Sequence, residues 1–258
     1  NYEDFTKISY PSSFTKMHLI SETFTVNKRF PLTISRGTTS QTTNIWVRLQ
    51  EDGIEGWGEA SPFSVVREEK EDTETLLNQL QEIALKLEPY SPWERQSIER
   101  VLLEHKISSS LRAAIDMALY DWMGKAAGLP LWRLLGLEIA RIVPISVTIG
   151  INSPEGAKLR VRDWQEFVDA KILKVKLGNP AGIAADRAMF LAIKEQAPDA
   201  EFTVDANGGW NLDDALTMCD WLADQGVKYV EQPLPVGAEN NLSLLHQRSP
   251  IPIFVDES

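Results

Sequence analysis

The sequence predicts an α/β fold: an α+β domain, then part of a barrel of alternating strands and helices. Three observations predict it. Residues 18–62 carry a β pattern and residues 71–136 a helical one. From about residue 139, strand-like and helix-like segments alternate without interruption. Four of the later apolar runs also end in charged residues at near-equal intervals: KILKVKLG (171–178), EFTVDANGG (201–209), KYVEQPLP (228–235) and IPIFVDES (251–258). From Lys176 to Asp205 is 29 positions, from Asp205 to Glu231 is 26, and from Glu231 to Asp256 is 25. One strand-plus-helix unit of an eight-fold barrel takes about 30 residues, and such barrels build their sites at the C-terminal ends of the strands.

Each element follows from local pattern. Residues 1–17 are polar, lack a clear period and read as an N-terminal extension, with Met17 near a natural start. HLISETFTV, NIWVRLQ and IEGWGEA are rich in β-branched and aromatic residues, which predicts three strands. EDG at 51–53 is a hairpin signal. SRGTTSQTT (35–43) is polar and reads as a flexible loop. TETLLNQLQEIALKLE spaces its leucines and isoleucines as a helix does. SPWERQSIERVLLEH predicts a helix capped by Ser91 with Pro92 at its first position. SSSLRAAIDMALYDWMGKAAG predicts a helix that stops at Gly128, ahead of Pro130. Residues 18–138 therefore form the α+β domain.

Residues 139–258 form the second domain. VPISVTIG (143–150) is its first strand, and the four charged runs supply the rest. Between them lie the helical patterns SPEGAKLRVRDWQEFVDA, PAGIAADRAMFLAIKEQA, NLDDALTMCDWLADQG and AENNLSLLHQR. Such alternation predicts parallel strands joined by right-handed crossovers, with strands apolar on both faces. About five barrel strands are present. Five cannot close a barrel, so the barrel reading expects three further units beyond Ser258. A doubly wound open sheet could end where the fifth strand does.

Composition narrows the function. The 258 residues are 43% hydrophobic and 24% charged, ordinary for a globular protein with a sizeable core. A net charge of −11 disfavours nucleic acid and anionic membrane as partners. No apolar stretch reaches the roughly 20 residues needed to span a bilayer, and no charged-then-apolar signal opens the chain. One cysteine, Cys219, rules out an intrachain disulfide and fits a reducing, cytoplasmic location. His18, His105 and His246 share no ligand spacing and read as structural.

The strand-end charges carry the chemistry. Asp205, Glu231 and Asp256 would repel one another unless a cation lay between them. Carboxylate oxygens suit a hard cation, Mg²⁺ with Mn²⁺ as the alternative. Any single strand-end acid is more often just a solvated loop residue; three at one-unit intervals are not. Lys174 and Lys176 are two apart on a strand, so both side chains share a face. Each charge, and a bound metal, lowers the other lysine's pKa, so Lys176 can act as a neutral base with Lys174 tuning it. Taken alone, the lysine pair also fits an exposed strand edge. Together the parts suit one reaction: a carboxylate substrate binds the metal, and a lysine removes the proton α to that carboxylate.

These motifs, KVK (174–176), VDAN (204–207), VEQPLP (230–235), VDES (255–258) and the helix RAAIDMALYDWMGKAAGLPLWRLLG (112–136), resemble the enolase superfamily, muconate-lactonizing-enzyme subgroup. The resemblance runs from about residue 18 to the end. It implies a capping domain followed by a modified TIM barrel of the (β/α)7β type, truncated here. It implies Lys176 as an acid/base, Asp205, Glu231 and Asp256 as Mg²⁺ ligands, and Asn207 as support. It also implies that the 35–43 loop is a mobile cap, with Arg36 a contact to a substrate anion. PLTISRGTTS, and Thr148 in SVTIG, look most like dipeptide epimerases of the L-Ala-D/L-Glu kind. The expected partner is then a small-molecule carboxylate, a dipeptide, with a homo-oligomer left open. That kind of epimerase uses a second lysine on the sixth strand and an Asp-x-Asp motif on the eighth, and neither has a counterpart in these 258 residues. Muconate cycloisomerisation, o-succinylbenzoate synthesis and N-acylamino acid racemisation share the half-reaction and stay open. So do an inactive fragment and a binding module.

Overall fold

The computed structural model describes residues 16–62 and 72–258. Apart from Lys16 and Met17, the expected N-terminal extension lies outside those residues. The chain divides into two compact units, one of residues 1–26 and 42–141, the other of residues 27–41 and 142–258.

Three strands, β1 (His18–Ile34), β2 (Gly37–Glu51) and β3 (Ile54–Ala60), form a sheet in sequence order; the β1–β2 hairpin end, residues 27–41, belongs to the second unit and the rest to the first. β2 and β3 pair antiparallel from Ile45↔Ala60 to Glu51↔Ile54. The turn between them is Asp52-Gly53, both at positive φ (51° and 74°), as the two-residue hairpin signal requires. Helices α1 (Thr73–Leu87), α2 (Arg95–Glu104) and α3 (Ser109–Ala127) follow, then the short α4 (Leu131–Leu134). α3 ends at Gly128 in the left-handed conformation, φ 64°.

Contact between sheet and helix explains the glycines of IEGWGEA. Gly56 and Gly58 share one face of β3. A Cβ there would stand 2.0 Å from the Ala118 carbonyl oxygen and 1.9 Å from that of Ala114. Only glycine on the strand, facing alanine one helical turn apart on α3, lets the backbones come this close.

Two local expectations need correction. Ser91 and Pro92 do not open α2. Ser91 instead accepts and donates within a turn with Glu94, and the helix starts at Arg95. The segment 35–43 is not an irregular loop. It is a two-residue turn, Ser35-Arg36, followed directly by β2. Threonines drive this: they favour strands, and Thr33 and Thr38 pair across the hairpin at 2.8 Å through their hydroxyls.

The second unit holds a five-stranded parallel sheet in sequence order: β4 (Ser146–Ile149), β5 (Ile172–Lys176), β6 (Glu201–Asp205), β7 (Val230–Glu231) and β8 (Ile253–Phe254). Helices α5 (Pro154–Phe167), α6 (Ile183–Gln196), α7 (Leu212–Asp224) and α8 (Leu242–Arg248) alternate with the strands. Side-chain caps start α5 and α7: Ser153 accepts from the Gly156 amide, and Asn211 from that of Asp214. Val147, Ile149, Leu173, Val175, Phe202, Val204 and Val230 pack with Phe190, Met218 and Cys219 into one buried core. Among the described residues no helix is long and apolar enough to cross a membrane.

Glu51 is a buried acid of the first unit. It is 4% exposed, and among the described residues its Oε2 has no hydrogen-bond partner. Burial pushes its carboxyl up to about 7, with the charges of Asp52 and Glu94 adding to the shift. An acid whose folded pKa lies above its unfolded value loses stability as pH rises from about 4.5 to 7. Glu51→Gln therefore gains on the parent protein by about 1–2 kcal/mol between pH 5 and pH 8, read by urea denaturation at both pH values. An equal difference at the two pH values contradicts it.

Candidate active site

Register decides which side chains meet. Lys176 stands opposite Asp205, Asp205 opposite Glu231, and Glu231 opposite Phe254. Thr148 stands opposite Lys174. Residues opposite one another on parallel strands share a face, as do residues two apart along one strand. Lys174, Lys176, Asp205 and Glu231 therefore lie on one face, with Thr148 beside Lys174. The intervening Val175, Val204 and Val230 turn into the helix-covered core.

On that face the charges pair. Lys176 Nζ lies 2.5 Å from Asp205 Oδ2, and Lys174 Nζ lies 3.1 Å from the same oxygen and 2.7 Å from Glu231 Oε1. Asp205 is fully buried, and its Oδ1 accepts from the Asn207 amide at 2.8 Å. Burial raises the Asp205 carboxyl, but the hydrogen bond to Lys176 and the two ammonium charges outweigh it, so the net shift is downward. Glu231 goes the other way: burial and the nearby Asp205 raise it more than Lys174 lowers it. Sequence reasoning expects the lysine pair to depress each other. For Lys174 the reverse holds: burial lowers it, but the hydrogen bond to Glu231 and the charge of Asp205 raise it further.

Asp256 is not drawn into this cluster. Phe254 holds the rank of Glu231 on β8, and Asp256 lies two residues further on, exposed. Among the described residues no three His, Cys, Asp or Glu side chains are gathered as a metal would require. Asp205 and Glu231 nonetheless suit a hard divalent cation: two carboxylates share one space, and an ammonium now bridges them. The charges of both Asp205 and Asp256 also bear on Arg36.

Arg36 comes from the hairpin tip, which belongs to this unit. Its guanidinium pairs with Glu257, whose side chain is only 6% exposed. Glu257 Oε1 accepts from Asn207 Nδ2 at 3.2 Å, and Ser35 Oγ donates to the Asn207 carbonyl at 2.9 Å. Asn207 itself sits at φ 44°, and among the described residues its buried Oδ1 has no partner. The tip is thus bonded to the residue that supports Asp205.

Comparison with known proteins bears on this arrangement. Residues 18–136 match the mandelate racemase / muconate lactonizing enzyme N-terminal domain, and residues 160–258 match the enolase C-terminal domain-like family. The chain belongs to the enolase superfamily. A hydrophobic dipeptide epimerase from Flavobacteria bacterium (strain MS024-2A) is 43% identical over 237 residues, 91% of this chain and 66% of that protein. The dipeptide epimerase of Enterococcus faecalis V583, solved with Mg and L-Leu-L-Tyr, has a TM-score of 0.83 at 28% identity, covering 94% of this chain and 68% of that one. The substrate-liganded L-Ala-D/L-Glu epimerase of Bacillus subtilis has a TM-score of 0.84 at 25% identity, with coverage of 94% and 68%. The chain spans about two thirds of the length of the curated relatives it matches.

In this enolase-superfamily chain, several structural side chains of the site escape sequence reasoning. Asp186, on α6, is 1% exposed and among the described residues has no cationic partner. It accepts from the Gly178 and Asn179 amides (3.1 and 3.0 Å) and from Trp210 Nε1 (2.9 Å). Burial raises its pKa, and those bonds offset part of the rise. One carboxylate so joins the loop after Lys176 to the loop after Asp205. The loops also meet glycine to glycine, where a Cβ on Gly209 would stand 2.6 Å from Gly178 Cα. Gln232 and Glu257 do comparable work further along the sheet. The signal for Asp186 was an acid in the first turn of an otherwise apolar helix face; Gln232 and Glu257 gave none. Asp186→Asn leaves one oxygen for three N–H donors and turns an NH₂ group on one of them. It costs about 2–3 kcal/mol in urea denaturation. A loss below about 0.5 kcal/mol contradicts the clamp.

Proposed function

We propose that the whole protein is a Mg²⁺-dependent epimerase that removes the proton α to a carboxylate of a dipeptide. The observation that carries this reading is the partly buried face on which Lys174, Lys176, Asp205 and Glu231 meet at the strand ends. Relatives named dipeptide epimerases support the reaction class. In this reading Asp205, Glu231 and Asp256 hold the ion, Mg²⁺ or alternatively Mn²⁺. When bound, it supplies positive charge where the substrate's enediolate charge develops. Lys176 acts in its neutral form, its Nζ lone pair taking the proton from Cα. Lys174 balances the buried carboxylates and keeps Asp205 ionised. Asn207 fixes the rotamer of Asp205 through its amide. Thr148, beside Lys174 on the same face, contacts substrate. Inversion needs a second acid on the opposite face, which the whole protein would supply, to return a proton to Cα. The single buried Cys219 supports a cytoplasmic location.

Two substrate readings follow from Arg36. Free to meet a substrate anion, it favours a dipeptide of the L-Ala-D/L-Glu type. Its pairing with Glu257 favours the second, a dipeptide with uncharged side chains, because the one cation of the hairpin turn is already neutralised.

One experiment tests the reaction and ranks the substrates. The whole protein is incubated with Mg²⁺ in D₂O with L-Ala-L-Glu or L-Ala-L-Leu, and α-deuteration and epimer are followed by NMR. Both products form, with the larger kcat/KM marking the substrate class. Lys176→Ala retains Mg²⁺ binding and loses exchange by about 10³-fold. Exchange retained in that variant excludes Lys176 as the base. Cyclisation or loss of water without epimer, on the corresponding substrates, supports the cycloisomerase and synthase alternatives instead.

A further inference from the structure

Gln232 follows Glu231 directly and is 1% exposed. Its side chain makes four hydrogen bonds. Oε1 accepts from the backbone amides of Asp256 and Glu257, both at 2.9 Å. Nε2 donates to the Leu234 carbonyl at 2.9 Å and to Ser258 Oγ at 2.8 Å. Its backbone is fully engaged as well: the amide donates to the Phe254 carbonyl at 2.8 Å, and the carbonyl accepts from the Gly208 amide at 2.7 Å. One residue thus ties together the ends of β6, β7 and β8.

The backbone of Gln232 is the second observation. It sits at φ 40°, in the left-handed region, which costs a non-glycine residue on the order of 1 kcal/mol or more. Glycine would fill this place without that cost, and nothing about chain reversal there calls for a carboxamide. What the carboxamide adds is two acceptor bonds to the segment that carries Asp256. That segment needs them, because the β8 ladder stops at Phe254 and the Asp256 and Glu257 amides have no strand partner.

We propose that Gln232 is a positioning residue: its carboxamide fixes the backbone of Asp256 and Glu257, and so sets where the third acid stands relative to Asp205 and Glu231. This rests on the metal reading given above. The same bonds orient Glu257, which holds Arg36 and Asn207. The side chain touches no reacting atom; it acts through the two residues that follow β8.

Two variants of the whole protein test this. Gln232→Gly removes the carboxamide and relieves the backbone; Gln232→Glu keeps the acceptor oxygens and loses the donor. Hydrogen exchange of the Asp256 and Glu257 amides, read by NMR without added metal, tests the staple by itself. Isothermal titration with Mg²⁺ alone tests its consequence. Protection of both amides is lost in Gln232→Gly and kept in Gln232→Glu. Mg²⁺ affinity falls at least about tenfold in Gln232→Gly. A core variant, Leu245→Ala, brought to the same thermal stability by choice of temperature, keeps its Mg²⁺ affinity within about twofold. Unchanged affinity in Gln232→Gly overturns the proposal, as does an equal loss in Leu245→Ala. If the unmodified protein fails to bind Mg²⁺, the metal reading itself falls and this role with it, whatever the amides show. If Mg²⁺ binds but the two amides exchange freely in the unmodified protein, only the Gln232 proposal falls.

Discussion

A carboxylate with no access to water must have its charge compensated or give it up, and Asp205 is such a carboxylate. Everything around it follows from that demand. Lys176 compensates it from the neighbouring strand, Lys174 shares it with Glu231, and the Asn207 amide takes its second oxygen. These partners come from the two neighbouring strands and a loop, yet they meet because the parallel register places Lys176, Asp205 and Glu231 at one rank. Removing one partner would leave a buried charge unpaired, a larger loss than the net worth of the pair. The same balance suits a divalent cation. An ion entering between Asp205 and Glu231 would take over the position that Lys174 now bridges.

Around the charges stands a neutral or singly charged frame. Asp186 joins the loops after β5 and β6, and Gln232 joins those after β7 and β8. Both side chains are almost wholly buried, and their oxygens accept from backbone N–H groups and, for Asp186, also from an indole. They differ from the charged cluster in kind. The lysines and acids can exchange partners, whereas Asp186 and Gln232 have their acceptor capacity occupied by fixed backbone.

Much of this was legible in the sequence because it follows from period and spacing. Alternation of strands and helices gave the parallel sheet, and unit-length intervals gave the rank of Lys176, Asp205 and Glu231. Asp-Gly gave the β2–β3 turn. What the sequence did not reveal depended on rank or on competing local preference. An interval of 25 looks like one more unit, but β8 aligns Phe254, not Asp256, with Glu231. The polar 35–43 segment looked like a loop, yet cross-strand threonines made it a hairpin. Ser91 and Pro92 made a turn where a helix start was expected, because Glu94 captured the Ser91 amide. Gln232 left no trace, since a left-handed glutamine is not a pattern that sequence reveals.

The central claim is that the strand-end face is a cation site built on Asp205 and Glu231. The most direct measurement is a crystal structure of the whole protein grown with Mg²⁺. The claim predicts one ion bound by the Asp205 and Glu231 carboxylates, with the Asp256 carboxylate turned to it and the Lys174 ammonium displaced from between them. An ion bound elsewhere, with Lys174 still bridging Asp205 and Glu231, would contradict it.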